Sequence, residues 1–277
     1  MRLFFLLLMV FVPALAEAQI LNLPKRKSIA LNGKAFALSI CDKNLKDREE
    51  SIYQEIKKGN VPDFLRKLVK ISDSIENLSV SYYVLPDYLS IGSNQDFFYV
   101  PMTPSLAQKV ARLTGCSLPT KKIVNQIYRH ATIKLSPQPI PPTNAMTTIP
   151  VFIGHTDSIM EQLKPVIYNQ RLGELVAGNK KDVIISNKIY GEKSPRVVIY
   201  GWHKLDGKPI QPLYNKHGSN WADYSHGVRL IQNIICINQK KTSLKKVLRD
   251  VKLSNVFSDE GIIRKSYYPI LKDANSH

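Results

Sequence analysis

Apolar residues in the N-terminal half of the chain recur at three- and four-residue intervals, which is the spacing of amphipathic helices. In the segment 45–59, Ile52 and Ile56 fall on one face, acidic residues crowd the first turn, and a glycine ends the pattern. A second helix is predicted from Thr103, the cap, with Pro104 in the first helical position. Further helices are predicted over 60–70, 119–131, 155–164 and 242–251.

Short apolar runs bounded by turn residues dominate the C-terminal half, and such runs are typical of strands. We predict strands over 181–186, 196–202, 208–213 and 226–237, with Asp206-Gly207 as a hairpin turn. Earlier strands are expected over 35–40, as a pair within 77–92, and near 97–100. The pattern predicts an α+β fold, with a helical N-terminal half packed on a mainly antiparallel β-sheet from the C-terminal half.

The first 18 residues have the features of a secretory signal. Arg2 precedes an apolar core, and Ala16-Glu17-Ala18 is a small-x-small cleavage site. We therefore expect cleavage after Ala18 and a secreted or periplasmic protein. The apolar core is shorter than the ~20 residues that cross a bilayer, so no transmembrane anchor is predicted.

Residues 19–277 are predicted to form a single α+β domain. The segment 135–150 contains five prolines in sixteen residues and is expected to be an extended connector, because proline fixes φ and removes a hydrogen-bond donor. If the domain divides into subdomains, this connector is the boundary.

The formal net charge of +17 favours anionic partners, and a cell-wall or other anionic polymer is the partner we expect. Basic residues are spread along the chain as lysine pairs, which argues against nucleic acid. The alternative is that the excess lysine only solvates the surface. The sequence does not predict an oligomeric state.

Three cysteines are present, and in an oxidising compartment two of them could pair. The sequence lacks CxxC, a glycine-rich phosphate loop, HExxH, and a GxSxG in a strand context. We therefore predict no metal site and no cofactor.

The strongest candidate for a site is His226, at the junction between a polar aromatic loop and an apolar run. Asp223, three residues earlier, could fix the tautomer and orientation of the ring. Trp221 and Tyr224 in the same loop are candidate substrate-binding residues. The alternative is a structural imidazole that bonds loop carbonyls.

His203 at the end of the strand over 196–202 is a second candidate, if its ring faces the same cleft as His226. Trp202, with Trp221, Tyr224 and Tyr214, could form an aromatic platform for a sugar ring; core packing is the alternative for Trp202. Other candidates are Lys180 and Lys181, which could bind an anion or simply solvate a turn, and His155 at a helix start is a secondary choice.

Cys116 is a candidate nucleophile, because it precedes a predicted helix start at which the helix dipole would stabilise a thiolate. A cysteine on an early helix followed by a histidine on a later strand is similar to the order in papain-like hydrolases. The alternatives are a buried structural thiol or half of a disulfide with Cys41.

Several segments resemble an uncharacterised family of secreted bacterial proteins. They are GNVPDFLRKL, PDYLSIGSNQDFFYVPMTP, GCSLPTKKIVNQIY, MTTIPVF, GNKKDVII, IYGWHKLDGKPIQPL, DYSHGVRLI and SDEG. The resemblance spans most of the chain and implies a shared fold and one domain. It supplies no activity to transfer.

Taken together, the sequence predicts an exported hydrolase, an amidase or peptidase, that acts on a cell-envelope polymer or peptide. His226 would be the general acid/base, with His203 and Cys116 as further catalytic candidates. A non-catalytic binder of an anionic or glycan polymer is the first alternative, and a secreted basic nuclease is the second.

Overall fold

The computed structural model describes residues 19–270, and the predicted signal segment 1–18 lies outside them. The predicted α+β class is confirmed. The helices are α1 (Gly33–Ser39), α2 (Leu45–Lys57), α3 (Pro104–Leu113), α4 (Lys121–His130), α5 (Ile149–Tyr168), α6 (Leu244–Arg249) and α7 (Ser254–Phe257). Short 3-10 turns cover Asp63–Leu65, Asn144–Thr147 and Asn187–Ile189.

The strands in the first part of the chain are β1 (Val69–Ile75), β2 (Leu78–Val84), β3 (Ser90–Gly92), β4 (Phe97–Tyr99), β5 (Cys116–Ser117) and β6 (Ile133–Lys134). The later strands are β7 (Val176–Ala177), β8 (Lys181–Val183), β9 (Ile199–His203), β10 (Pro209–Tyr214), β11 (His226–Gly227), β12 (Ile231–Gln232), β13 (Ile234–Ile237) and β14 (Lys240–Ser243).

The larger sheet is antiparallel and is built around β2. Its order is β14-β13-β2-β12-β5, and β1 pairs with β2 from Val69 opposite Val84 to Ile75 opposite Leu78. Every pairing in this sheet is antiparallel. The prediction of a mainly antiparallel sheet is therefore confirmed, although strands from the N-terminal half form its centre.

A smaller sheet of order β10-β9-β8-β11 positions the candidate site. The pairs β10–β9 and β9–β8 are antiparallel, and β8–β11 is parallel. The predicted turn at Asp206-Gly207 joins β9 to β10, with Gly207 N donating to the Lys204 carbonyl at 2.8 Å. His226, the first residue of β11, is the register partner of Lys181. The strand that follows the aromatic loop therefore begins beside Lys180 and Lys181.

The predicted Thr103 cap is confirmed, and the helix predicted over 119–131 is capped by Thr120. Thr103 accepts a hydrogen bond from Leu106 N at the start of α3, and Thr120 accepts one from Ile123 N at the start of α4. The helix predicted over 242–251 is α6, and its cap is Ser243, one residue after the predicted start.

Two N-terminal elements differ from the prediction. The expected strand over 35–40 is helix α1, which buries Phe36 and Ala37. The expected helix over 60–70 is a single turn that buries Phe64 and Leu65, followed by β1. Pairing with β2 overrides the weak helical periodicity there, because β-branched residues fit a half-buried strand.

The segment 226–237 is not one long strand. It divides into β11 in the smaller sheet and β12 and β13 in the larger one. Arg229 lies at the crossing, fully buried, and donates to the carbonyls of Leu85 (3.0 Å) and Val176 (2.8 Å). A buried guanidinium that bonds carbonyls from two segments holds the chain where it passes between the sheets.

Residues 135–143 of the predicted connector over 135–150 form neither helix nor strand, but its second part is a 3-10 turn at Asn144–Thr147 and the start of α5 at Ile149, earlier than the predicted residue 155. Side chains on either side of the connector pack together: the rings of Tyr82 and Phe257 meet edge to face at 5.4 Å.

Cys41, Cys116 and Cys236 are all free thiols.

Candidate active site

His226 is enclosed at the start of β11. Lys181 N donates to the Ser225 carbonyl at 2.8 Å, which ties the loop end to β8. The His226 side chain is 0% exposed. Gly227 permits this close packing, since a Cβ there would lie 2.5 Å from Tyr88 Cδ1 and 2.7 Å from Lys180 Cβ.

Asp223 faces the imidazole. Its Oδ2 lies 3.7 Å from His226 Nε2, and its Oδ1 accepts hydrogen bonds from Ser225 N (2.9 Å) and Ser225 Oγ (2.5 Å). The Trp221 indole N–H donates to Oδ2 at 3.3 Å. Burial by itself raises the pKa of Asp223, but His226, Lys181 and the Ser225 hydrogen bonds outweigh burial and hold that pKa well below its usual range.

The His226 ring is neutral at neutral pH. Burial lowers its pKa to about 4, Asp223 opposes this, and the charges of Lys181 and His217 reinforce it. Both ring nitrogens are buried and lack a hydrogen-bond partner among residues 19–270. A neutral imidazole beside an ionised carboxylate can accept a proton and be stabilised as it does so.

Trp202 approaches the same site from β9 in a strained conformation. Its φ is 55°, in the left-handed region that bulky residues rarely adopt. Lys181 Nζ lies 5.1 Å from the centre of its ring, and the indole Nε1 has no partner within the described range. Strained backbone and unpaired buried donors are concentrated at functional sites.

Lys180 lies on the inner side of the site and is fully buried. Its Nζ donates to the Tyr224 carbonyl at 2.6 Å and lies 3.0 Å from His155 Nδ1. Burial lowers the pKa of Lys180 to about 7, against the charges of Asp223 and Asp87. Burial, and then Lys180, lower the pKa of His155 to about 2, so His155 is neutral and the ammonium pins the loop just before His226.

The sequence does not predict the buried polar network that lies beneath Lys180 and Lys181. Tyr88 Oη donates to Asp182 Oδ2 at 2.7 Å, and Tyr99 Oη donates to Asp87 Oδ2 at 2.5 Å. Burial raises the pKa of Asp182 to about 7, although Arg229 and Tyr88 oppose it. The one local signal is a charged residue, Arg229, within an apolar run.

The structure does not bring His203 to His226. The His203 ring stacks on Tyr128 at 4.5 Å, and its Nε2 lies 3.1 Å from Asn125 Oδ1, so its partners belong to α4. Burial lowers its pKa to about 4. Neighbouring side chains in a strand point to opposite faces, and it is Trp202 that faces Lys181.

Cys116 is also remote from the histidine. It lies in β5 of the larger sheet, opposite Gln232, and not at the helix start. Its Sγ contacts the Thr114 carbonyl at 3.6 Å, and burial raises the pKa of the thiol to about 11. The raised pKa keeps the thiol protonated at neutral pH, and its described hydrogen-bond contact is a backbone carbonyl rather than a histidine.

The predicted aromatic platform divides into buried and surface parts. Trp202 and Tyr224 are buried, and the Tyr224 hydroxyl accepts a hydrogen bond from Ile140 N in the proline-rich connector at 2.9 Å. Trp221 is half-buried and stacks on the His217 imidazole with ring centres 4.6 Å apart. The stack lies in the loop that leads to His226, and Ser219 and Asn220 of that loop line a cleft of about 480 Å³ beside α2 and α3.

Within residues 19–270, no group of three or more His, Cys, Asp or Glu side chains is placed to hold a metal ion. None of the helices in that range has the length and apolar character needed to span a membrane.

No protein-family model, curated protein or solved structure matches the chain. The resemblance to a family of secreted bacterial proteins therefore stays a prediction.

Proposed function

We propose that this protein is an exported hydrolase, an amidase or peptidase, that acts on a cell-envelope polymer or peptide, with His226 as its general acid/base. The observation that carries the proposal is the buried pair of His226 and Asp223, 3.7 Å apart, in which both imidazole nitrogens lack a partner among the described residues. Leaving a buried polar atom unpaired costs about 1–3 kcal/mol, and proton transfer gives such an atom a use.

The proposed chemistry is hydrolysis by an activated water. His226 accepts a proton from water as its oxygen attacks the substrate carbonyl, and Asp223 stabilises the imidazolium that forms. The Trp202 indole N–H, a buried donor without a partner in residues 19–270, donates to the oxyanion. His226 then returns the proton to the leaving amine as the C–N bond breaks.

Cys116 has no part in this mechanism, because its thiol is buried in the other sheet with a raised pKa. Substrate reaches His226 when residues 215–221, the half-buried and exposed part of the loop, move aside, since the ring is 0% exposed in the structure. Loops that open and close over a site in this way commonly exclude water from the reaction.

The test is digestion of peptidoglycan and of casein by the wild type and four variants. We expect His226→Gln to lower the rate at least about 100-fold, the usual scale for losing a general acid/base, and Asp223→Asn to lower it less. Cys116→Ser and His130→Gln should keep wild-type rates, because His130 lies on the exposed end of α4. Circular dichroism and melting temperature must show that each variant is folded.

Two results would contradict the proposal. One is a folded His226→Gln variant with undiminished activity. The other is a wild type that digests neither substrate.

A second candidate function is a non-catalytic binder of glycan polymers. The half-exposed stack of Trp221 and His217 favours it, because sugar rings pack on aromatic faces. It predicts that wild type and His226→Gln co-sediment equally with insoluble peptidoglycan and that neither releases soluble fragments.

A further inference from the structure

Lys181 presents a cation at the surface side of the site that makes no direct ion pair within residues 19–270. Its side chain is half-buried, and within residues 19–270 its Nζ makes neither a hydrogen bond nor an ion pair of 4.0 Å or less. Its described contact is the face of Trp202, 5.1 Å away. A partly desolvated ammonium in this position is available to an anionic group of a ligand.

The acidic group that faces Lys181 is already occupied. Asp223 is the charge that most opposes the effect of burial on the pKa of Lys181, but its oxygens already accept hydrogen bonds from Ser225 and Trp221 and its Oδ2 faces His226 at 3.7 Å. The other titratable groups around it are His226, His217 and His155, all of which feel its positive charge. Their pKa values are lowered, so the three rings are neutral and Lys181 is the cation at this place that an anion can meet.

A flat aromatic surface lies in the adjoining loop. Trp221 and His217 stack with only 13° between their planes, and Tyr214 lies 5.2 Å from His217. All three side chains are half-buried, so part of each is accessible. The Trp221 indole N–H donates to Asp223, and the Lys181 charge lowers the pKa of Asp223, so the stack and the ammonium have Asp223 as a common neighbour. A ligand that has both a sugar ring and a carboxylate matches this pair of groups.

We propose that Lys181 and the Trp221–His217 stack bind a carboxylate-bearing sugar, with the ammonium on the carboxylate and the indole against the ring. The role of this sugar as part of a substrate rests on the proposed function, but its binding does not require turnover. The second, independent observation is the buried Trp202 Nε1, an unpartnered donor of the described structure, under the same ammonium. The Lys181 ammonium and the Trp202 indole N–H are both hydrogen-bond donors, as an anion requires.

The experiment compares N-acetylmuramic acid with N-acetylglucosamine, which share a ring and differ by a lactyl carboxylate. Binding is measured by calorimetry and by fluorescence of the two tryptophans in the chain. It uses the wild type and His226→Gln, so that hydrolysis plays no part. We expect the acid to bind at least about tenfold more tightly than the neutral sugar, with a preference that weakens as salt screens the charge.

Lys181→Gln should abolish this preference, whereas Lys216→Gln should keep it. Lys216→Gln is the matched control, because it removes the same charge from an exposed lysine in the loop that carries His217 and Trp221. Trp221→Ala should weaken both sugars, and lactate alone should bind more weakly than the sugar acid.

The inference is overturned if the two sugars bind equally, if neither binds, or if Lys181→Gln retains the preference. These outcomes are distinct from failure of the proposed function. A protein that prefers the sugar acid but hydrolyses neither substrate would support this inference and contradict the proposed hydrolase. A protein that hydrolyses peptidoglycan but shows no preference for the sugar acid would support the hydrolase and contradict this inference.

Discussion

Burial of His226 makes the stability of the folded state depend on pH, and this dependence can be worked out from the structure. The ordinary pKa of histidine is 6.5, and burial lowers that of His226 to about 4. Between these values the unfolded chain holds a proton that the folded chain lacks, so acidification favours unfolding. The stabilising contribution is complete above pH 6.5 and is lost as the pH falls towards 4.

The expected size is substantial. Each pH unit within this window changes the unfolding free energy by about 1.4 kcal/mol, so a fall from pH 6.5 to 4.5 costs ~2–3 kcal/mol through His226 alone. Globular proteins have only about 5–15 kcal/mol in total. His155 and His203, whose pKa values are also lowered by burial, act in the same direction.

The assay is urea unfolding of wild type and His226→Gln at several pH values from 7 to 4.5. The difference in unfolding free energy between the two proteins isolates the residue, since the other histidines are common to both. We expect the wild type to lose ~2–3 kcal/mol more than the variant over this range. An identical pH dependence in the two proteins, or an imidazole that titrates near 6.5 by NMR, would refute the reasoning.

Three further predictions concern the packing around the site. The first concerns Lys180, whose pKa burial lowers to about 7. Above pH 7 the unfolded chain holds a proton that the folded chain lacks, so the unfolding free energy of the wild type should rise by about 1.4 kcal/mol per pH unit. Lys180→Met should remove this rise, and urea unfolding from pH 7 to 9 measures it. Gly227→Ala should lower the unfolding free energy by about 1–3 kcal/mol, since its Cβ would overlap the Tyr88 ring; Gly154→Ala in α5, where nothing lies within 4 Å, should instead raise it by up to ~1 kcal/mol, and equal effects would contradict the packing. Arg229→Met should cost about 3–5 kcal/mol by leaving the buried carboxylates without their cation, and a melting temperature equal to that of the wild type would count against this account of the crossing.

Local signals in the sequence predict several elements correctly. Helices α3 and α4 follow from a threonine cap and a proline near the first turn, both of which act within a few residues. The turn between β9 and β10 follows from Asp206-Gly207 for the same reason. The approach of Asp223 to His226 is also local, because only three residues separate them.

Long-range contacts decide the parts that the sequence does not predict. The apolar run 226–237 is divided between two sheets because Arg229 bonds carbonyls from distant segments. His155 contacts Lys180, 25 residues later in the chain, and Tyr99 in β4 donates to Asp87 in the segment between β2 and β3. Adjacent positive φ values at Gly201 and Trp202 bring the indole to Lys181. Glycine adopts a positive φ readily, but a tryptophan gives no indication of it in the sequence.

The most direct test of the acid/base role of His226 is kcat/KM on soluble peptidoglycan fragments at pH 7, measured for the wild type and His226→Gln. The account predicts a loss of at least about 100-fold in the folded variant. Equal values for the two proteins would contradict it.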